Sequence, residues 1–319
     1  MNGLILPPLV LLSYNELLII YHRLTVLKTK SYILIAVVFL LTQVGCASYF
    51  VDKFEGDTFI AVISDVHISN DKSKEDRLNR LVERINNGDN PKIERLIITG
   101  DCVSSVYADR NDGEAPNNNR LKKFVDCLEP LTVPYNPVMG NHDFKIDKER
   151  DSDAPFEKSE IEMMERIWTE TTNLPSYYSV DQKDWKFIFL NSMRGKYQNK
   201  SFDDEQLAWL ADELDEDKHA LLFFHHPVES DNFKVWCKAK DLITNEKEPE
   251  FFNILAKYKS NIKGIFVGHG HMWISDTLFD EIKIFETDSF GDNEEITYAI
   301  IGLDNSRGDV PVIKCEEIK

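Results

Sequence analysis

Short apolar runs alternate along this chain with longer segments whose apolar residues recur at helical spacing. The first such run, Phe59–Ser64, is rich in β-branched residues, which is typical of a buried strand. It is followed by apolar residues spaced as on one face of a helix, namely Leu78, Leu81, Val82 and Ile85. A second run, Arg95–Thr99, then predicts another strand. Strand, helix and strand in this order predict a βαβ unit with a parallel sheet.

The same alternation continues through the rest of the chain. Further apolar runs predict strands at Tyr135–Met139, Ala220–Phe224 and Ile262–Val267. Two runs that flank a polar turn predict a hairpin, Tyr177–Val180 with Trp185–Leu190. We find no internal repeat and no linker that divides residues 57–319. The pattern therefore predicts one α/β domain over residues 57–319.

The first 46 residues follow a different pattern. Ser31–Val44 is apolar, is preceded by two lysines and ends in small residues, as in a secretory signal. It is shorter than the roughly 20 residues that a transmembrane helix needs. The junction at Gly45 and Cys46 resembles a bacterial lipoprotein signal, in which the Cys is lipidated, although Gln43 stands where that pattern prefers Leu. An uncleaved anchor is the alternative, and residues 1–25 fit either an over-extended start or a first membrane segment.

This segment predicts a location in the bacterial cell envelope. The protein would be attached to the membrane through the N-terminal segment or through lipid on Cys46, with residues 57–319 outside the cytoplasm.

The net charge of the chain limits the classes of molecule that it is expected to bind. The net charge of the 319 residues is −18, and the first 45 residues contribute +2, so the remainder carries −20. A chain this acidic is a poor partner for long nucleic acid, which binds basic surfaces. A local cation, such as a bound metal, would still attract a small phosphate ester. None of the five cysteines forms a CxxC pair, which disfavours a zinc ribbon or a thioredoxin-type motif.

Five of the apolar runs are followed at once by residues that can ligate metal or move a proton. These motifs are Asp65-Val66-His67, Gly100-Asp101, Gly140-Asn141-His142-Asp143, His225-His226-Pro227 and Gly268-His269-Gly270-His271. Six of the eight histidines fall in them, so isolated packing histidines are a poor explanation. Ligands gather beyond the carboxyl ends of the strands in such sheets, and we expect the motifs to meet there. In an extended chain His269 and His271 would share one face.

The donor types indicate the metal. Asp, His and Asn suit Mn, Fe or Zn rather than Ca. One Asp can bridge two ions, and two ions about 3.5–4 Å apart can clamp a phosphoryl group for in-line attack. The motifs therefore predict a site for two divalent metal ions of unassigned identity.

In this order, the five motifs resemble the calcineurin-like metallophosphoesterases, a superfamily of dinuclear metal phosphatases and phosphodiesterases. The resemblance covers about residues 57–303. It implies a four-layer αββα sandwich with two central mixed sheets, and the metal site at the C-terminal strand ends. It also implies hydrolysis of phosphate mono- or diesters by attack of a metal-bound hydroxide. The segment Phe202–Leu214 is similar to a helix in the secreted and cyclic-nucleotide-cleaving branches of that family.

The resemblance also implies a role for each motif residue. One metal would be held by Asp65, His67 and His271, and the other by Asn141, His225 and His269. Asp101 would bridge the two ions. His142 would be no ligand but the acid that protonates the leaving oxygen, held in place by Asp143. His226 matches no ligand position, and contact with substrate and simple packing both stay open for it.

Several alternatives remain at this point. The activity could be that of a cyclic-nucleotide phosphodiesterase specifically, and a catalytically silent envelope binding protein or a nuclease fits less well. Ser104 stands where purple acid phosphatases place a Tyr, which disfavours that subclass. Three polar or mixed segments should determine which phosphate ester is the substrate, but they carry no recognisable motif. They are Ser104–Asn119, Asp143–Ser159 and Glu229–Glu250.

Overall fold

The computed structural model describes residues 56–88, 91–106, 119–145, 155–198, 201–238, 240–305 and 312–318. The predicted signal or anchor at residues 1–46 lies outside these ranges, as do parts of the first two polar segments. Among the described helices, none has both the length and the apolar character needed to cross a bilayer.

The first half of the domain alternates strands with helices, as the periodicity predicts. Its elements are β1 (Thr58–Ile63), α1 (Lys72–Asn87), β2 (Arg95–Ile98), α2 (Asn119–Leu128), β3 (Tyr135–Pro137) and α3 (Lys158–Thr172). The side chain of Asp71 caps α1 by accepting the backbone N–H of Ser73, and Gly88 ends the helix in a left-handed conformation. The βαβ unit β1–α1–β2 is confirmed, with β1 and β2 parallel.

The second half begins with the predicted hairpin, β4 (Tyr178–Gln182) and β5 (Trp185–Phe189), which pair antiparallel. The next elements are a 3₁₀ turn (Arg194–Gln198), α4 (Asp204–Leu214), β6 (His219–Phe223), α5 (Asp231–Trp236) and α6 (Pro249–Lys257). The last are β7 (Ile262–Val267), β8 (Ile274–Leu278), β9 (Ile282–Glu286), β10 (Ile296–Leu303) and β11 (Val312–Ile318). The segment Glu229–Glu250 thus contains a short helix and the start of α6.

The strands form two mixed sheets. The first has the order β11-β10-β1-β2-β3, with β1–β2 and β2–β3 parallel and β1–β10 antiparallel. The second has the order β4-β5-β6-β7-β9-β8, with a parallel centre and antiparallel pairs at both edges. Parallel strands run in the same sense, so β1, β2 and β3 end at one edge of their sheet, as do β6 and β7 of theirs.

Three apolar cores separate four layers. One core lies between the first sheet and helices α1, α2 and α3, and another between the second sheet and helices α4, α5 and α6. The third lies between the sheets and contains inward residues of both, including Val62 of β1 and Phe223 of β6. A strand with both faces covered must be apolar on both, which explains the near-continuous apolar runs. The predicted αββα sandwich is confirmed.

Candidate metal centre

All five predicted motifs lie directly after strands, and the structure brings them together where the two sheets meet. Asp65, Asp101 and Asn141 follow β1, β2 and β3, while His225 and His269 follow β6 and β7. Several contacts between their side chains span more than 80 positions in sequence. The expectation that the motifs meet at the carboxyl ends of the strands is confirmed.

One group of donors surrounds the carboxylate of Asp65, which is fully buried. Its Oδ1 lies 3.1 Å from Nε2 of His271 and 3.5 Å from Nε2 of His67. Donor atoms of these three residues lie within 4.8 Å of one another, a spacing at which one ion can contact all of them.

The other group surrounds the amide oxygen of Asn141. Its Oδ1 lies 2.9 Å from Nε2 of His225 and 2.8 Å from Nδ1 of His269. The two ring nitrogens are themselves 3.3 Å apart. On its other side, Nδ1 of His225 faces the carbonyl of Thr99 at 2.9 Å, which leaves Nε2 as the nitrogen turned into the site.

Asp101 lies between the two groups. Its Oδ2 is 3.7 Å from Nε2 of His67 in the first group and 3.3 Å from Nε2 of His225 in the second. Its Oδ1 accepts the backbone N–H of His142 at 2.7 Å. Asp101 therefore lies near donors of both groups, as its predicted bridging role requires, and Asp65 also has donor atoms within 4.8 Å of those of Asp101 and His225.

The electrostatics of these residues fit a bound cation. Although burial opposes both charges, Asp101 and His225 perturb one another. The pKa of His225 rises to about 10, and that of Asp101 falls to about 2. Nε2 of His67 is buried and has no hydrogen-bond partner, a condition that costs free energy unless the atom is otherwise engaged. Carboxylate, imidazole and amide donors of this kind suit Mn, Fe or Zn.

The backbone at the site is strained. Asp65, His67, Asp101, His269 and His271 have φ of 54°, 54°, 50°, 78° and 57°. Non-glycine residues rarely adopt this left-handed region, and where they do the surroundings impose it, often at functional sites. The expected extended geometry of the last motif is therefore wrong. His269 and His271 leave a left-handed backbone and enter different donor groups, the second and the first respectively.

Position 140 requires a glycine because atoms of Asp101 and His225 approach it closely. A Cβ at this position would overlap the Oδ1 and the backbone nitrogen of Asp101 and would lie 2.9 Å from Cγ of His225. A side chain here would push the central carboxylate and the second group apart, so the glycine allows the motifs to converge.

His142 faces the same site, with its ring centroid 4.7 Å from that of His67. Its Nδ1 lies 2.9 Å from the carbonyl oxygen of Ser104, which fixes the ring and leaves Nε2 as the second nitrogen. Burial lowers the pKa of His142. His142 also forms, with His67 and Asp101, a set of donors within 4.8 Å, so spacing alone does not separate it from the ligands.

Asp143 is the residue expected to hold His142 in place, and its described contacts indicate the route by which it would do so. The described contacts place the Ser104 carbonyl, rather than this carboxylate, on the His142 ring. Asp143 instead accepts the backbone N–H groups of Gly140, Val103 and Cys102 at 2.8, 3.0 and 3.2 Å. Burial, together with the charge of Asp101, raises its pKa to about 7. Asp143 therefore joins the loops after β2 and β3 and acts on His142 through the backbone.

Several polar residues near the site belong to none of the motifs. Asp241 lies 3.6 Å from His269, and Asp292 lies within 4 Å of both His67 and His271. Ser192, also outside the motifs, has its Oγ 2.7 Å from Nδ1 of the motif residue His226, whose role the sequence leaves open. The sequence signal for Asp241 and Asp292 is weak, because single acids in polar turns are common.

A two-sheet sandwich with two His-rich donor groups joined by one carboxylate defines the class of metal-dependent phosphoric ester hydrolases that use two ions. Residues 60–273, about two thirds of the chain, match the family profile described as "Calcineurin-like phosphoesterase". The chain belongs to this family.

Two curated relatives and one solved structure are similar to the chain. A protein of Psychrobacter sp. (strain PRwf-1) named "Probable cyclic nucleotide phosphodiesterase" is 24% identical over 205 residues, 63% of this chain and 53% of the relative. A "Probable glycerophosphodiester phosphodiesterase" of Arcobacter nitrofigilis is 28% identical over 200 residues, 61% of this chain and 62% of the relative. The chain thus spans less than two thirds of either relative.

The solved structure is a dimetal phosphatase from Danio rerio. It superimposes with a TM-score of 0.58 and covers 83% of this chain and 98% of its own. At 14% sequence identity, this likeness establishes the shared fold.

Proposed function

We propose that this protein hydrolyses phosphate esters with two divalent metal ions. The observation that carries the proposal is the position of Asp101, whose Oδ2 lies between the ligand nitrogens of His67 and His225. Asp65, His67 and His271 would hold one ion, and Asn141, His225 and His269 the other. When bound, two such ions polarise the phosphoryl oxygens and lower the pKa of water, which supplies the nucleophile.

The protein's own contribution is to orient the donors and to provide a proton. The Ser104 carbonyl holds Nδ1 of His142, so that the protonated ring can release a proton only from Nε2. That nitrogen would protonate the leaving oxygen of the ester. Because burial lowers the pKa of His142, its imidazolium is a stronger acid than an exposed one.

Phosphodiesters are the substrate class that we propose. The names of both curated relatives support this class, one specifying cyclic nucleotides and the other glycerophosphodiesters. Monoesters are the alternative.

The test is a panel of esters with added Mn²⁺: 3′,5′-cyclic AMP, glycerophosphoethanolamine, bis-p-nitrophenyl phosphate and p-nitrophenyl phosphate. We expect kcat/KM for the best diester to exceed that for the monoester. A panel in which only the monoester turns over contradicts the diester assignment, and no turnover of any ester contradicts the activity itself.

Metal stoichiometry tests the ligand assignment separately. Chelator-stripped protein refilled with Mn²⁺ should bind about two ions per chain. One ion per chain together with full activity would refute the two-ion site.

We also propose that the protein is held at the bacterial envelope and that residues 57–319 are its phosphoesterase domain. The support for the envelope is the sequence pattern ending at Cys46. A lipidated Cys46 would bring the mature protein into the membrane fraction, and Cys46→Ser would release it or leave an uncleaved precursor. Mass spectrometry of membrane-extracted protein with an intact N-terminus before Cys46 would favour the uncleaved anchor.

A further inference from the structure

The two histidines of the last motif each turn one ring nitrogen into the site and the other towards a carboxylate outside the five motifs. For His269, Nδ1 is the inward atom, 2.8 Å from Oδ1 of Asn141. Its Nε2 lies 3.6 Å from Oδ1 of Asp241. The segment between β6 and β7 supplies this aspartate.

His271 has the opposite arrangement. Its Nε2 is the inward atom, 3.1 Å from Oδ1 of Asp65. Its Nδ1 lies 3.9 Å from Oδ2 of Asp292, which follows β9, and the same oxygen lies 3.8 Å from Nε2 of His67 in the same donor group. One carboxylate therefore faces each donor group, and the two come from unrelated loops.

The surroundings hold the carboxylate of Asp292 and the backbone that carries Asp241. Oδ1 of Asp292 accepts a hydrogen bond from Lys74 of α1, and its backbone N–H donates to Oγ of Ser289 at 3.1 Å. Asp241 donates its backbone N–H to the carbonyl of Lys238 at 2.9 Å and lies two residues before Ile243, which pairs with Val228 in a β-bridge. Asp292 is thus placed by a side-chain contact before any ion binds, and Asp241 by its backbone.

A neutral imidazole that gives one nitrogen to a metal must carry its proton on the other, and a partner for that N–H fixes the tautomer and the ring orientation. For His225 this partner is the Thr99 carbonyl. At 3.6 and 3.9 Å the two carboxylates are beyond normal hydrogen-bond length, so they act here as oriented charges. We propose that Asp241 and Asp292 are positioning residues, each selective for one ion: Asp241 through His269, and Asp292 through the two histidines of the first donor group.

This inference rests on the two-ion site of the proposed function. The test is calorimetric titration of Mn²⁺ into the chelator-stripped full-length protein. His269→Ala and His271→Ala first identify which binding step belongs to which donor group. Asp241→Ala should then weaken the His269 step about 10–100-fold, and Asp292→Ala the His271 step by a similar factor. Asp126→Ala, an exposed acid on α2, is the matched control and should change neither step.

Two further measurements separate positioning from a general structural effect. Asp241→Asn keeps the shape of the side chain without its charge and should lose about as much affinity as Asp241→Ala, whereas Asp241→Glu, which keeps the charge, should recover part of it. Asp241→Ala combined with His269→Ala should weaken binding no further than His269→Ala alone, because the aspartate would act only through that ring.

The outcomes distinguish the two proposals. Wild-type protein that never binds two ions contradicts the proposed function. Wild-type protein that binds two ions, with unchanged steps in both aspartate variants, contradicts only this inference. Equal weakening of both steps by one aspartate variant, with a lower melting temperature, also contradicts it, because that is the result of a structural role.

Discussion

The core between the two sheets and the edge where the motifs meet are built in opposite ways, although the same strands supply both. In the core, Phe189, Phe223, Phe266 and Phe285 stack across neighbouring strands with centroids 5.3, 5.2 and 5.7 Å apart. At the edge, buried acids face buried histidines, and five of the predicted ligands have positive φ. His225 follows Phe223 by only two positions. Well-packed strands can thus hold strained turns in place, since such turns persist only where the surroundings over-determine them.

The largest effect should come from the edge. Asp101→Asn weakens the contact to both ions and should lower kcat/KM by roughly 10⁴-fold, because metals supply several kcal/mol of transition-state stabilisation. Metal analysis should show loss of both ions, whereas His219→Ala, outside the site, should retain them. Full activity in Asp101→Asn would show that this carboxylate bridges nothing.

His142→Ala tests the edge without removing a predicted ligand. A positioned acid contributes about 10²–10⁴-fold where the leaving oxygen needs a proton. Hydrolysis of an alkyl ester should therefore fall by that factor, and hydrolysis of a nitrophenyl ester, whose anion leaves readily, should fall only mildly. Metal content should stay near wild type, in contrast to His225→Ala, which should lose metal and depress both esters together. If His142→Ala lowers hydrolysis of both esters by the same factor, His142 is not the general acid.

Phe223→Ala tests the core. Loss of a fully buried ring should lower the free energy of unfolding by about 3–5 kcal/mol, measured by urea denaturation. The protein that remains folded should still bind two ions per chain. If metal binding fails while the fold persists, the core and the edge are more closely coupled than this comparison suggests.

Removing the metal ions should have the smallest effect of these four tests, and it concerns only the edge. Ions that bind only the folded state stabilise it by about 2.7 kcal/mol at a free concentration 100 times Kd. Chelation should therefore lower the melting temperature, and Mn²⁺ should restore it. His225→Ala should show a smaller response to chelator than wild type, since one of the two donor groups is already damaged.

The sequence predicted the α/β architecture because each strand buried on both faces must be apolar, and five of the apolar runs end in a motif. The βαβ unit, the hairpin and the meeting of the motifs at the strand ends follow from that pattern, whereas the four-layer sandwich came from the resemblance to a family. The division of the ligands into two groups came from resemblance to a family, and the contacts of Asp65 and Asn141 agree with it.

The features of the site that the sequence did not predict depend on backbone geometry and on loops without periodicity. The left-handed φ of His269 and His271 has only a weak signal in residue type, because His adopts positive φ more often than most non-glycine residues but still does so uncommonly. The sequence could not indicate how Asp143 would hold His142, because its carboxylate meets backbone N–H groups, which every residue carries. Asp241 and Asp292 reach the site through turns whose path only the tertiary structure defines.

The pairing of β1 with β10 also sets the order in which the protein can be completed as it is synthesised. Val62 of β1 lies opposite Ala299 of β10, and 206 positions separate Asp65 from His271. At synthesis rates of roughly 5–20 residues per second, roughly 10–40 s pass between the synthesis of Asp65 and that of His271. Pairings so distant in sequence also form slowly, because the intervening chain must first be closed into a loop. The nascent chain therefore has a period in which its first acids and histidines are made but cannot yet enclose an ion.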